Sequence, residues 1–372
     1  MNNYIMVGCD VHDENILIKS AHNCGAPIQK SFKNTISGRK KMISEIMKDA
    51  KNSGEAKVAV AYEASYQGFG FYDELTDAGF ACYVLAPTKI ARSAKHRKRK
   101  TDARDAVRLL EIVRGHVLAG NEIPSVWIPD HQTRDDRELV RMRLEVGKKI
   151  TATKAQIVVL LKRNKFKKPS KLGNNWTKKH RIWLAESANP KSAMPIGARC
   201  VLNSLLRQLA MLEEEARYLD KNIDTLSSSK RYDIPVQALK NLKGVGTLTA
   251  MTYLTEMGDL SRFSNRRKVG SFLGLVPSSN ESGKKDDRKG HITHQGPARV
   301  RKVLCQACWA RVRTDPIEKA AYERIVEKNP KHKKIAVVAS MRRLAVKMWH
   351  IGLMAQNQAE SFESQKKEKK AA

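Results

Sequence analysis

Several things are scarce in this chain, and each scarcity removes a class of protein. Six cysteines in 372 residues (9, 24, 82, 200, 305 and 308) are too scattered to staple a fold, so they read as reduced thiols. No apolar run approaches the roughly 18 residues of a helical membrane span. No nucleotide-binding loop of the form G-x-x-x-x-G-K-[ST] occurs, so phosphate chemistry here would need its own energy source. The opening MNNYIMVGCD has neither a basic leader nor a long apolar stretch, and the expectation is a cytoplasmic protein. Acidic residues are also few: 38 Asp and Glu stand against 70 Lys and Arg, a formal net charge of +32. Such an excess repels itself in a compact chain unless a polyanion neutralises it. The default partner is nucleic acid, with an anionic membrane surface second.

The surplus is unevenly placed. Residues 1–90 carry ten basic and ten acidic residues, whereas residues 91–114 carry nine and three, and the excess continues to the end. The neutral part reads as an α/β unit. Strands are expected at Tyr4–Asp10, Asn15–Ala21, Gln29–Asn34, Lys57–Tyr62 and Ala81–Leu85, with helices at Ser37–Asp49 and Phe69–Ala78. In such sheets the chemistry sits beyond the carboxyl ends of the strands.

The middle of the chain has helical spacing. Leu139, Met142, Val146, Ile150, Thr153, Ile157 and Leu160 recur at steps of three and four. Leu202, Leu205, Leu209, Leu212, Ala216, Leu219, Ile223 and Leu226 alternate in the same steps without a break, a heptad seam. Two long helices follow, folded as a hairpin or paired between subunits, with Lys167–Pro195 as their connection. The organisation expected is 1–130, an α/β unit; 131–230, a helical coiled-coil dimerisation segment; 231–355, a mainly α unit; and 356–372, a disordered basic tail.

Three groups of residues point to phosphate chemistry. Asp10 and Glu63 each end an apolar strand, while Asp102 and Asp105 share one face at the start of a helix. Four converging carboxylates raise one another's pKa values unless a cation neutralises them, and oxygen ligands suit Mg²⁺ or Mn²⁺. Arg97, Lys98, Arg99 and Lys100 precede the last two acids, where a phosphate backbone would lie. Taken singly, Asp102 is as well explained as a helix-start acid and Glu63 as a chance charge. Lys243-Gly244-Val245-Gly246-Thr247 resembles the hairpin of helix-hairpin-helix DNA binders, and equally a plain glycine-rich turn. The serine-rich stretch Gly274–Gly283, followed by Lys284, Lys285 and Arg288, reads by itself as a solvated loop. The pattern His291-Ile292-Thr293-His294 with Cys305-Gln306-Ala307-Cys308 suggests zinc, but the second half has the spacing of an apolar helix, so buried cysteines are the better reading.

GCDVH, AYEAS, KTDARDA, LKGVGTLTA, FLGLVPSSNESGKK and GHITHQGPARVRKVL follow one another in that order. This set resembles the DEDD transposases of the insertion-sequence-110 family, over about residues 4–312. The resemblance implies a RuvC-like (RNase H-like) N-terminal domain, a coiled-coil dimerisation segment and a C-terminal transposase domain. It implies Asp10, Glu63, Asp102 and Asp105 as the metal tetrad, and Ser282 as a nucleophile forming a phosphoserine link to DNA. It also implies donor and target DNA and a structured bridge RNA as partners, with a homodimer that becomes a tetramer on DNA, beside a bacterial nucleoid. Two other readings remain: a RuvC-like junction nuclease using metal-activated water, and a non-catalytic RNA- and DNA-binding protein.

Overall fold

The computed structural model describes residues 3–90, 101–279, 289–328 and 330–371. The chain divides into two compact units, 1–128 and 129–372.

Unit 1 is a mixed sheet with helices. In chain order it holds β1 (Tyr4–Val11), β2 (Asn15–His22), β3 (Ile28–Lys33), α1 (Ile36–Asn52), β4 (Lys57–Glu63), α2 (Gly70–Asp77), β5 (Ala81–Leu85) and α3 (Asp102–Ala119). The sheet order is β3-β2-β1-β4-β5. β1 pairs antiparallel with β2, and β2 with β3; β1 pairs parallel with β4, and β4 with β5. Strand alternation divides the side chains between two layers. Ile5, Val7, Cys9, Val58, Val60 and Tyr62 join a core with Met42, Ile46 and Leu75 from α1 and α2. Met6, Ala59 and Ala61 face the other way, against Leu109, Leu110 and Val113 of α3.

Unit 2 is mostly helical. It begins with α4 (His131–Arg163), α5 (Lys178–Ser187) and α6 (Ile196–Ser227). α7 (Asp233–Lys240), α8 (Thr247–Met257), α9 (Arg266–Phe272), the short strands β6 (Pro277–Ser279) and β7 (Lys289–Ile292), α10 (Ala298–Thr314), α11 (Pro316–Lys328) and α12 (Lys333–Ala371) complete it. Arg143 meets Asp220 at 2.8 Å and Lys154 meets Glu213 at 3.1 Å, so α4 and α6 run antiparallel. Leu202, Leu209, Ala216, Leu219 and Ile223 of the heptad seam are buried. Ile157, Leu160 and Leu161 of α4 pack with Leu202 and Leu209, and Val146 packs with Ala216 and Leu219.

Two expectations change here and a third narrows. Of the two arrangements expected for the seam, the hairpin is the one observed: the seam packs on the apolar face of α4 within the chain. The 167–195 connection contains α5, whose Thr177 caps the His180 N–H and whose Leu184 enters the α4–α6 core. The stretch from 356, expected to be disordered, continues α12 through Ala371, consistent with its Ala, Glu, Gln and Lys content. α4 also turns a different face at its start: Val140 and Leu144 are buried while Met142 is 44% exposed. There Arg141 bonds both oxygens of the buried Glu256 on α8, at 2.7 and 2.9 Å, fixing the rotation of the helix.

Candidate active site

The site follows from one glycine. A Cβ on Gly8 would lie 2.2 Å from the Ala106 carbonyl oxygen and 2.3 Å from the Leu110 nitrogen. Only a bare Cα lets the backbone of α3 rest on β1, and Ala59 and Ala61 keep the neighbouring strand equally low. Asp10 is two residues beyond Gly8, so alternation puts it on the α3 side of the sheet. Cys9 pairs with Tyr62, so the next residues along the two parallel strands are Asp10 and Glu63. α3 starts here, with Thr101 at its N-cap and Asp102 and Asp105 in its first turn. The four acids are therefore brought to one end of the sheet by register and helix placement.

Three side chains converge closely. His12 Nε2 lies 3.3 Å from Asp10 Oδ2 and 3.5 Å from Asp102 Oδ1. One ligand atom from each of Asp10, His12 and Asp102 falls within 4.8 Å of the others. Asp105 is near enough for its charge to act on Asp10, and Glu63 ends the neighbouring strand; neither is one of the three. His12 was not among the candidates drawn from sequence; its signal is the i, i+2 spacing from Asp10 at the end of a strand.

The electrostatics explain what the group needs. Asp10 is mostly buried, and its Oδ2 has no hydrogen bond although His12 is within ion-pair range. Burial holds the Asp10 carboxyl above its ordinary pKa; His12 opposes that rise, and the charges of Asp102 and Asp105 add to it. An unsatisfied carboxylate oxygen beside further carboxylates is an oxygen donor set that suits a hard divalent cation. Among the described residues this is the one group of three or more His, Cys, Asp or Glu side chains that converges in this way. The zinc pattern does not assemble among the described residues: Cys305 and Cys308 lie on α10 and join no converging group of His, Cys, Asp or Glu side chains.

Comparison with known proteins gives the family. A profile for DEDD transposases of the IS110 group matches residues 7–165, and one described as "Transposase IS116/IS110/IS902 family" matches residues 236–323. The transposase for insertion sequence element IS1533 of Leptospira borgpetersenii is 26% identical over 310 residues, 83% of this chain and 86% of that protein. y4qE of Sinorhizobium fredii, named as a transposase, is 29% identical over 288 residues, 77% of this chain and 67% of that protein.

The chain belongs to the IS110 family of transposases.

In this DNA transposase the first match contains all four acids. Of the nucleic-acid candidates, Arg97, Lys98, Arg99 and Lys100 lie outside the described residues, as do Ser282, Lys284 and Lys285. Lys243, Gly244, Gly246 and Thr247 fall in the turn between α7 and α8 and at the start of α8. Gly244 has a packing reason to be glycine. Its φ is +79°, and a Cβ there would lie 2.8 Å from the Ala307 carbonyl oxygen on α10. Arg311 of α10 donates to the Lys243 carbonyl at 3.1 Å, closing the same contact. Gly246, by contrast, has open space beside it, and Lys243 is exposed. No helix among the described residues is long and apolar enough to cross a membrane.

Proposed function

We propose that this transposase cuts and rejoins donor and target DNA with a RuvC-like (RNase H-like) acidic centre and a serine nucleophile, Ser282. The sheet order, with two antiparallel strands beside a parallel group and acids at one end of it, supports the first half. The observation that carries the reading is the buried, unbonded Asp10 oxygen beside Asp102. Asp10, Glu63, Asp102 and Asp105 would hold Mg²⁺ or Mn²⁺. Such an ion, when bound, polarises a phosphoryl oxygen and stabilises the charge that develops in displacement.

The serine half follows from energy. Ser282 Oγ attacks the phosphorus and loses its proton; the bond to the leaving deoxyribose oxygen breaks, and that oxygen takes up a proton. The phosphoserine ester keeps the energy of the broken bond, which hydrolysis would release to water. The hydroxyl of a second strand then displaces Ser282 and completes the exchange with no nucleotide cofactor. Lys284 and Lys285, adjacent in sequence, would offset phosphate charge, and Arg97–Lys100 with the Lys243–Thr247 turn would contact the backbone.

The same reading gives the chain a bridge RNA. A broad cationic surface grips backbone shape without reading bases, so pairing with a structured RNA would choose donor and target sites. Residues 131–230 would serve assembly into a homodimer, and a tetramer on DNA, through surfaces other than the internal α6 seam. Residues 231–355 would form the transposase domain, and the protein would work in the cytoplasm at the nucleoid.

Labelled DNA, Mg²⁺ and a denaturing gel test the chemistry. Wild type should leave a protease-sensitive protein–DNA adduct that Ser282→Ala, Asp102→Ala and excess EDTA each abolish. Cleavage by Ser282→Ala with no adduct in wild type would replace the serine mechanism with metal-dependent hydrolysis.

A further inference from the structure

A second candidate site lies in unit 2, and none of the α7–α8 turn residues lines it. α9, β6, β7, the turn Pro330–His332 and α12 enclose a groove of roughly 2010 Å³. Eight Lys and Arg side chains line it, and no Asp or Glu does. Arg343 is drawn to Glu318 at 3.1 Å. The other seven, from Arg266 and Arg267 through Lys331, Lys333 and Lys334 to Arg342 and Lys347, have no carboxylate partner among the described residues. Seven like charges facing one depression repel unless a polyanion lies between them.

Part of the lining is of another character. Leu275, Ile335, Val338 and Ile351 line the same groove, and Ile335 is 51% exposed. His291, His294, His332 and His350 add planar rings to the lining. A double helix would offer phosphates to the cations but nothing to the aliphatic lining, because its base faces are already stacked. A single strand offers both parts: phosphates for the cations, and sugar and base faces for aliphatic side chains and imidazole rings.

We propose that this groove seats single-stranded DNA. Its position fits the family's substrate: β6 and β7 form one wall, and the residues joining them in the chain, 280–288, include Ser282. The proposal rests on the chain acting on DNA and is independent of the metal and serine chemistry, because binding is read without turnover.

The test is fluorescence anisotropy of the full-length protein with labelled single-stranded and duplex DNA in EDTA, across a salt series. Arg267→Ala/Lys334→Ala/Lys347→Ala should weaken single-strand binding about tenfold or more. It should also reduce the salt slope by about 2, three lost phosphate contacts at roughly 0.7 each. The control Lys40→Ala/Lys41→Ala/Lys48→Ala, exposed lysines on α1 in unit 1, should change binding less than about twofold. Val338→Ser, which leaves charge alone, should weaken single-strand binding about threefold and leave duplex binding unchanged. Circular dichroism checks that each variant is folded. Equal losses in the groove and control triples would overturn the site. Equal losses for duplex and single strand would overturn the assignment to single strands. Tighter binding of the same sequence as RNA, lost in the groove triple, would overturn the assignment to DNA.

Discussion

The two units bring functional groups together in opposite ways. Unit 1 holds 19 basic and 14 acidic residues, and its site is a few acids set by strand register and one helix. Unit 2 holds 51 basic and 24 acidic residues, and its groove gathers cations from α9, the turn before α12, and α12 itself. In the first, near neighbours in the sheet are forced together, and like charges are concentrated over a few ångströms. In the second, charges spread along a surface match a polymer with a charge on every repeat. A compact acidic centre suits one cation and one phosphate; a dispersed basic groove suits many phosphates at once.

Gly8 gives the largest expected effect and the sharpest test of the difference. Gly8→Ala puts a methyl into the α3 backbone, and should destabilise unit 1 by about 4 kcal/mol or more and abolish strand cleavage, since α3 carries two of the acids. Urea denaturation and a cleavage assay would check both. A stable, active variant would mean that the acids do not depend on the β1–α3 contact.

In unit 2 the matching contact is electrostatic. Glu256→Gln would leave Arg141 without its counter-charge and remove one of the charges facing Arg137. A loss of about 3 kcal/mol is expected by denaturant titration, the scale of breaking a buried pair. Gly244→Ala should be milder, about 2 kcal/mol, because its clash with Ala307 is at 2.8 Å and not at 2.2 Å. Comparing Gly8→Ala with Gly244→Ala measures how much more the α/β unit depends on one close backbone approach.

Glu213 is the smallest effect and depends on pH. Arg181 bonds both its oxygens and Lys154 one, which holds its carboxyl down to about 2. A depressed carboxyl stabilises the fold above its unfolded pKa and loses that contribution as pH falls from about 4.5 toward 2. Because Arg181 is partly open to solvent, Glu213→Gln should cost about 1 kcal/mol at pH 7. The difference from wild type should vanish near pH 2, read by thermal unfolding at both values. A loss independent of pH would mean that packing, not charge, is what Glu213 contributes.

The same division separates what could be read from the sequence from what could not. The five strands of unit 1 follow from alternation and β-branched runs, and the observed bounds of β1, β2, β4 and β5 differ from the expected ones by two residues at most. The position of Asp10, Glu63, Asp102 and Asp105 near the ends of their elements was legible from where the apolar runs stop and the helix begins. His12 was not, since nothing local says that α3 will bring Asp102 beside it. The α6 seam was legible as a stripe, but a stripe does not name its partner, and α4 of the same chain took that place. Helix α5 was hidden by the surrounding Pro, Gly and Asn, because its stability comes from Leu184 and His180 packing into a core formed by distant residues. The groove was illegible for the same reason: its cations are up to 81 residues apart in sequence, from Arg266 to Lys347.

The acids at the end of β1 and β4 and the start of α3 are the proposed metal centre. Mn²⁺ titration by calorimetry, with no DNA present, tests it most directly. Wild type should bind Mn²⁺, with affinity falling at least tenfold in Asp10→Asn and again in Asp10→Asn/Asp102→Asn. Equal Mn²⁺ binding by wild type and the double variant would contradict it.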